Sequence, residues 1–239
     1  MEISKEPLIF EDDLNIDSPG KFPPYVPLRE AVYQTLKKSI LNGSLKPGQL
    51  LIENKVATKL SVSRTPVREA LRMLETDNLV TIMPGRRIIV SIPRIQDIEE
   101  IYQIRLMVET DALRNITSEN HSIIRQLEKC LENAAQHQDS DSVEFAQRNS
   151  EFHSTLISSL NNRYLEQFVD TLQDTIVRYQ MYSLTNDKWA GKSESEHWDI
   201  VQCLKKGNTE GAVQVLHKHL TTAKKVLTSI LSENFREDN

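Results

Sequence analysis

The sequence predicts a mostly α-helical protein that contains one small β-hairpin. Apolar residues recur at helical spacing along most of the 239 residues. Only 7 of those residues are glycine, which also favours long helices. Two short apolar runs, 79–83 and 86–91, flank a Pro-Gly pair in a pattern that is typical of a hairpin. We therefore expect helices throughout, interrupted once by two short strands.

The composition excludes several classes of protein. Hydrophobic residues make up 38% of the chain and charged residues 26%, as in globular proteins. The sequence has no apolar run of about 18 residues and no basic N-terminal start followed by an apolar stretch, so we predict neither a membrane span nor a secretory signal. Cys130 and Cys203 are too few for a disulfide framework and match no metal motif. These features predict a reduced, cytoplasmic protein.

Charge is distributed unevenly along the chain. The net charge is −5, yet residues 26–95 carry twelve basic against five acidic side chains, a net +7. Residues 1–25 carry −4 and residues 96–239 carry −8. This asymmetry predicts an anionic partner for the basic segment alone.

Three regions follow from composition and periodicity. Residues 1–25 are acidic, end in Pro-Gly and Pro-Pro pairs and lack a lasting period, so we predict a flexible arm. Leu8, Ile9 and Phe10 are the side chains that could order this arm against the rest of the protein. Residues 26–92 form one predicted domain, and Pro93 begins a second that extends to residue 239.

The first domain begins with three predicted helices. Residues 28–41 have apolar side chains every four residues, and a shorter helix is predicted at 53–60. The polar turn Ser61-Val62-Ser63 leads to a third helix that ends near Asp77 and has Ser63 or Thr65 as its N-cap. Two helices joined by such a short turn form a helix-turn-helix pattern.

The third helix has an apolar and a cationic face. Its apolar stripe is Val67, Ala70, Leu71 and Leu74, and its arginine stripe is Arg64, Arg68 and Arg72. By itself this pattern fits an ordinary amphipathic surface helix as well as a DNA-reading helix. The hairpin that follows has two arginines at its tip, which indicates a winged helix whose wing reaches phosphates or the minor groove. The hairpin could equally be a structural cover over the helices.

These motifs resemble the GntR family of bacterial transcription regulators. The resemblance rests on Lys46-Pro47-Gly48, Glu53, Ala57, the run from Ser61 to Leu71, and Leu74. It implies that the operator is contacted by Ser63, Arg64, Thr65 and Arg68, with Gly85 and Arg86 of the wing reaching the minor groove. Asn54 stands where the family often has arginine, so operator preference is expected to differ. One such domain covers few base pairs, and we therefore expect a homodimer on a palindromic operator.

The second domain is predicted to be an all-α antiparallel bundle. Its helices are expected at 96–116, 119–137, 141–159, 162–185, 192–206 and 208–234, and the break before the fifth of them is expected at Ala190-Gly191. Three of its histidines, His153, His197 and His219, lie on different predicted helices. They could converge on a divalent metal, or they could be ordinary hydrogen-bonded or exposed histidines.

The second domain resembles the FCD domain, which identifies the FadR branch of the GntR family. The resemblance rests on Arg105 to Glu109, Asn149 to His153, Glu196-His197, Ala212, Leu216 and His219. It implies a metal held by Asn149, His153, His197 and His219, with Asn149 in place of the family's aspartate. Zinc or nickel suits such histidine-rich sites. Arg105 would bind the carboxylate of a small organic acid, or pair instead with Glu109 four residues on.

The resulting hypothesis is a metabolite-responsive transcription regulator that is homodimeric, cytoplasmic and not membrane-bound. One alternative is a metal-free regulator that senses another ligand, such as an acyl chain. A helical metal-dependent enzyme is a weaker alternative, because no catalytic base stands out near the histidines.

Overall fold

The structure is a computed structural model that describes residues 11, 13–16, 22–135, 142–184 and 187–234. The chain forms two compact units, Met1–Pro93 and Arg94–Asn239. Leu8, Ile9 and Phe10, the side chains that could order the N-terminal arm, lie outside the described residues. Within the described part, no helix is long and apolar enough to cross a membrane.

The first unit is built around three helices: α1 (Leu28–Leu41), α2 (Glu53–Leu60) and α3 (Arg64–Thr76). Helix α3 packs against both α1 and α2, and its predicted apolar stripe is buried. The Tyr33 hydroxyl of α1 donates a hydrogen bond to Asp77 at the end of α3. Burial and this acidic partner raise the pKa of Tyr33 to about 12. The cationic face of α3 is thus left pointing away from the core.

The predicted hairpin is present as β1 (Val80–Met83) and β2 (Arg87–Val90), two antiparallel strands. Gly85 in the intervening turn has φ 79°, a left-handed conformation that glycine adopts without strain. Residues 49–51 also pair with β2. This pairing was not predicted, because Pro47-Gly48 indicated only a turn. The Leu51 amide donates to the Ile88 carbonyl at 2.7 Å, and Leu50 forms an antiparallel bridge with Ile89.

The described part of the acidic N-terminal region packs against other segments of the first unit. Leu14 and Ile16 are buried. The Gln49 side chain donates a 3.4 Å hydrogen bond to the Asp13 carbonyl, and Lys55 of α2 pairs with Glu11. At least this short stretch therefore lies against the segment before α2 and against α2 itself.

The second unit is helical throughout its described part, as predicted. Its helices are α4 (Ile95–Asn115), α5 (His121–Ala135), α6 (Ser142–Ser158), α7 (Arg163–Leu184), α8 (Asp187–Lys205) and α9 (Thr209–Asn234). Helix α9 packs against α4, α7 and α8, while α6 packs against α4, α5 and α7. The centre of this bundle is apolar and includes Leu127, Phe152, Leu156, Ile200 and Leu216.

The predicted break at Ala190-Gly191 is wrong. Helix α8 begins at Asp187 and continues through Gly191 to Lys205. Trp189 in its first turn is buried and its ring stacks on His219, with ring centroids 5.6 Å apart. A glycine within a helix costs only about 1 kcal/mol relative to alanine. Burial of the indole readily offsets that cost, so the helix starts one turn earlier than the glycine suggested.

A pair of glycine variants tests this correction. Gly191 has a helical φ and open space where a Cβ would lie, so we expect Gly191→Ala to stabilise the protein by about 0.5–1 kcal/mol. Gly207, which follows the end of α8, has φ 68°, and we expect Gly207→Ala to destabilise the protein by about 1 kcal/mol. Chemical denaturation measures both changes. A loss of stability in Gly191→Ala would contradict a continuous α8.

Candidate metal centre and nucleic-acid interface

Three buried histidines converge inside the second unit. His153 of α6, His197 of α8 and His219 of α9 are each at most 4% exposed. The Nε2 atom of His197 lies 3.2 Å from Nε2 of His153 and 3.2 Å from Nε2 of His219. Two imidazole nitrogens on one tetrahedral zinc ion lie roughly 3.3 Å apart, given Zn–N distances near 2.0–2.1 Å. The cluster therefore has the ligand type and spacing to hold a metal ion.

Two carboxylates orient two of these imidazoles through the ring nitrogens that face away from the cluster. The Nδ1 atom of His153 lies 2.6 Å from Oε2 of Glu109, and Nδ1 of His219 lies 3.3 Å from Oε2 of Glu196. Each hydrogen bond assigns the ring proton to Nδ1, which leaves a lone pair on Nε2 facing the other histidines. Metal-binding histidines commonly have this carboxylate partner, because it fixes the tautomer and raises the basicity of the ligand.

The environment also keeps the histidines neutral, as metal binding requires. Burial, followed by the nearby Arg105 cation and neighbouring His219, lowers the pKa of His153 well below its usual value. Burial likewise lowers the pKa of His197 far below the usual range, and lowers that of His219 even though Glu196 opposes the shift.

Arg105 occupies the position beside this cluster. Its Nε donates a 2.8 Å hydrogen bond to Oε1 of Glu109, and both side chains are buried. Burial raises the pKa of the Glu109 carboxyl, whereas the adjacent guanidinium opposes that rise and favours the carboxylate. Of the two roles considered for Arg105, the pairing with Glu109 is thus observed. Among the described residues, its Nη2 atom has no hydrogen-bond acceptor, so the side chain is only partly engaged.

Asn149 lies one helical turn before His153 and is half-buried. Its Oδ1 accepts a 3.3 Å hydrogen bond from the hydroxyl of Ser193, which lies one turn before His197 on α8. The Asn149–Ser193 contact therefore sits one turn along the same two helices from the His153–His197 contact. An amide oxygen is a neutral ligand, so it supplies less attraction to a cation than the aspartate that the resemblance implied.

The remaining described histidines are not part of the cluster. His217 is exposed and contacts the Thr110 hydroxyl at 3.0 Å. His121 is exposed at the start of α5. Sequence spacing had not indicated the supporting roles of Glu109 and Glu196, although both lie in the motifs that resemble the FCD domain.

The predicted DNA-contacting residues are exposed on the first unit. Ser63 is the N-cap of α3, and Arg64, Thr65 and Arg68 occupy its first turns with their side chains in solvent. Gly85 and Arg86 form the exposed tip of the hairpin. These positions are compatible with a recognition helix and a wing.

Glu53 restrains two of these arginines. Arg68 forms two hydrogen bonds with the Glu53 carboxylate, at 3.0 Å and 2.9 Å, and Arg64 approaches it to 3.5 Å. The Arg68 guanidinium, more than the other contacts, holds the pKa of Glu53 below its usual value. No local pattern indicated this contact, because Glu53 is the first residue of α2, fifteen positions before Arg68. The protein therefore presents two arginines of the stripe, Arg64 and Arg68, already oriented by a carboxylate.

Comparison with known proteins identifies the family. Residues 28–90 match the family described as bacterial regulatory proteins, gntR family, and residues 100–222 match the FCD domain. The chain belongs to the GntR family. It is 32% identical over 225 residues to the uncharacterized HTH-type transcriptional regulator YdhC of Bacillus subtilis, an alignment that spans 93% of this chain and 98% of YdhC. The predicted family, its FCD-containing branch and a regulatory rather than enzymatic role are thereby confirmed.

Two further relatives agree with this assignment. The gluconate operon transcriptional repressor of Bacillus licheniformis is 29% identical over 153 residues, which is 62% of each chain. The crystal structure of a GntR regulator from Rhodococcus sp. RHA1 has a TM-score of 0.72 at 24% identity, covering 84% of this chain and 97% of that one. At that identity the likeness shows the fold. This GntR-family protein is thus a DNA-binding transcription regulator with an FCD domain.

Glu53 provides a test of the DNA-binding surface. We expect Glu53→Gln to raise affinity for non-specific duplex DNA several-fold, because it removes a negative charge near the phosphates and releases Arg68. It should also lower the ratio of specific to non-specific affinity, because the guanidinium is no longer oriented. Fluorescence anisotropy with two duplexes measures both quantities. Glu75→Gln, the same change of charge near the other end of α3, is the control. Equal behaviour of the two variants would contradict the positioning role.

Glu109 provides a test of the histidine cluster. We expect Glu109→Gln to weaken Zn²⁺ affinity about 10–100-fold, since His153 loses the carboxylate that fixes its tautomer. Competition with a chromophoric chelator measures the affinity, and circular dichroism verifies the fold. Glu99→Gln, an exposed position on the same helix, is the control and should bind Zn²⁺ as the unaltered protein does. Unchanged affinity in Glu109→Gln would count against the cluster as a metal centre.

Proposed function

We propose that this regulator binds a palindromic operator as a homodimer and changes its operator affinity when a small carboxylate occupies the FCD domain. The observation that carries the proposal is the buried histidine cluster, whose Nε2 atoms face one another at 3.2 Å while carboxylates hold the opposite ring nitrogens of two of them. Such an arrangement of neutral imidazoles is costly to bury without a partner, and a metal ion supplies one.

The proposed metal ligands are His153, His197 and His219, with the amide oxygen of Asn149 as a fourth. Zinc or nickel fits three imidazoles best. When bound, the ion would supply a Lewis-acidic position open to a carboxylate oxygen. Arg105 contributes a fixed positive charge beside that position, and its Nη2 is the donor that remains available for an effector.

The proposed operator contacts are Ser63, Arg64, Thr65 and Arg68 on α3, with Gly85 and Arg86 at the wing. Their exposure and the +7 charge of residues 26–95 support this assignment. Arginine pairs well with the O6 and N7 atoms of guanine, which contributes roughly 1–3 kcal/mol of discrimination per good contact. Because one winged helix covers few base pairs, a dimer would read two half-sites.

The domain roles follow from these sites. We assign residues 26–92 to DNA binding, residues 93–239 to ligand binding and dimerisation, and residues 1–25 to an acidic arm. A chromosomal operator implies a cytoplasmic location. The similarity to a repressor of a gluconate operon supports a small organic acid as the effector.

Arginine variants test the operator contacts. Genomic fragments retained by the protein first supply an operator sequence. We then expect Arg64→Ala and Arg68→Ala each to weaken operator binding by roughly 1–3 kcal/mol and to relax base preference. Arg114→Ala, an exposed arginine of the second unit, is the control for net charge. If both α3 variants bind the operator as tightly as the control does, α3 is not the recognition helix.

A further inference from the structure

An exposed ion pair joins the acidic N-terminal arm to the DNA-binding unit. The Nζ atom of Lys55 on α2 pairs with the carboxylate of Glu11, and the two side chains are 53% and 47% exposed, respectively. Such a pair contributes little to stability, because both charged groups remain largely hydrated. The pair can therefore open, and the lysine can exchange its carboxylate partner for another anion at little cost.

The chain that follows Glu11 is held in place by buried contacts. Leu14 and Ile16 are buried, and the Gln49 side chain donates a 3.4 Å hydrogen bond to the carbonyl of Asp13. Glu11 lies only three residues before Leu14, a span of at most about 10 Å when extended. This anchor keeps the carboxylate within reach of α2 even when the ion pair is open, so its effective concentration there is high.

Lys55 lies where the DNA backbone is expected to pass. It is in the first turn of α2, the first helix of the helix-turn-helix. Glu53, two residues earlier, binds Arg68, so the start of α2 lies beside the proposed recognition helix α3. In helix-turn-helix proteins the first helix crosses the DNA backbone while the second enters the major groove. An exposed lysine at the start of α2 is thus suited to contact a phosphate.

We propose that Lys55 is a DNA-phosphate contact and that Glu11 competes with the phosphate for it. The net charge of −4 on residues 1–25, against +7 on residues 26–95, supports this intramolecular competition. Because the ion pair is exposed, its effect is modest, about two- to fivefold in DNA affinity. A phosphate contact carries no sequence information, so the competition weakens operator and non-specific binding by the same factor.

Acidic-residue variants of the full-length protein test the competition. Fluorescence anisotropy measures binding to an operator duplex recovered by genomic selection and to an unrelated duplex. We expect Glu11→Gln to raise affinity for both duplexes about two- to fivefold at low salt and to leave their ratio unchanged. Asp13→Asn, the control, removes the same charge from an exposed residue that has no ion pair within the described part of the chain. Its gain should be smaller, and thermal unfolding verifies that each variant is folded.

Lysine variants test the phosphate contact. We expect Lys55→Gln to weaken binding to both duplexes and to reduce the slope of log affinity against log salt concentration by about 0.9. Lys206→Gln, an exposed lysine of the second unit, is the control and should leave the slope unchanged. With Lys55 replaced, Glu11→Gln should raise affinity no more than Asp13→Asn does, because the lysine for which Glu11 competes is gone.

Several outcomes would overturn the inference. An unchanged affinity and salt slope in Lys55→Gln would exclude the phosphate contact. Equal gains from Glu11→Gln and Asp13→Asn would indicate a general effect of charge, as would a gain from Glu11→Gln that persists in full without Lys55. A changed ratio of operator to non-specific affinity in Glu11→Gln would indicate an effect on base contacts instead. The proposed operator contacts on α3 are tested by their own arginine variants and do not depend on these results.

Discussion

In the FCD domain, the buried carboxylate of Glu109 connects Arg105 to His153 of the histidine cluster. One oxygen accepts from Nε of Arg105 at 2.8 Å, and the other lies 2.6 Å from Nδ1 of His153. The first contact neutralises a guanidinium that would otherwise be buried alone, at a cost of several kcal/mol. The second joins α4 to α6 and directs the Nε2 lone pair of His153 towards His197 and His219. Without this carboxylate, both Arg105 and His153 would lose the contact that orients them.

A parallel arrangement occurs in the DNA-binding unit, where Glu53 holds Arg68 and approaches Arg64. In each unit a carboxylate orients the residues proposed to bind a ligand. The settings differ, because Arg64 and Arg68 are more than half exposed and Glu53 is only partly buried, so these pairs contribute little to stability, whereas Glu109 is fully buried. The exposed pair can exchange its partner for a phosphate or a base, and the buried pair is a fixed part of the bundle.

Periodicity predicted most of the fold, because helices depend mainly on contacts within a few residues along the chain. It located α1, α2 and α3 closely, together with the hairpin and the bundle. It failed where a tertiary contact overrides a local preference: burial of Trp189 continues α8 through Gly191, and Leu50, just after a predicted turn, forms an isolated β-bridge with Ile89. The histidines were predicted from the FCD resemblance, since spacing alone also fitted exposed residues. Contacts such as Glu196 to His219 join residues 23 positions apart on different helices, so no local pattern reveals them.

The central claim is that His153, His197 and His219 share one metal ion. X-ray absorption at the zinc or nickel edge, on untagged protein purified without chelators, tests it most directly. We expect about one metal per chain, an imidazole-rich shell with metal–nitrogen distances near 2.0–2.1 Å for zinc, and loss of that shell in His197→Ala. Protein that contains no metal and acquires none on incubation with either ion would contradict the claim, as would a shell that is unchanged in His197→Ala.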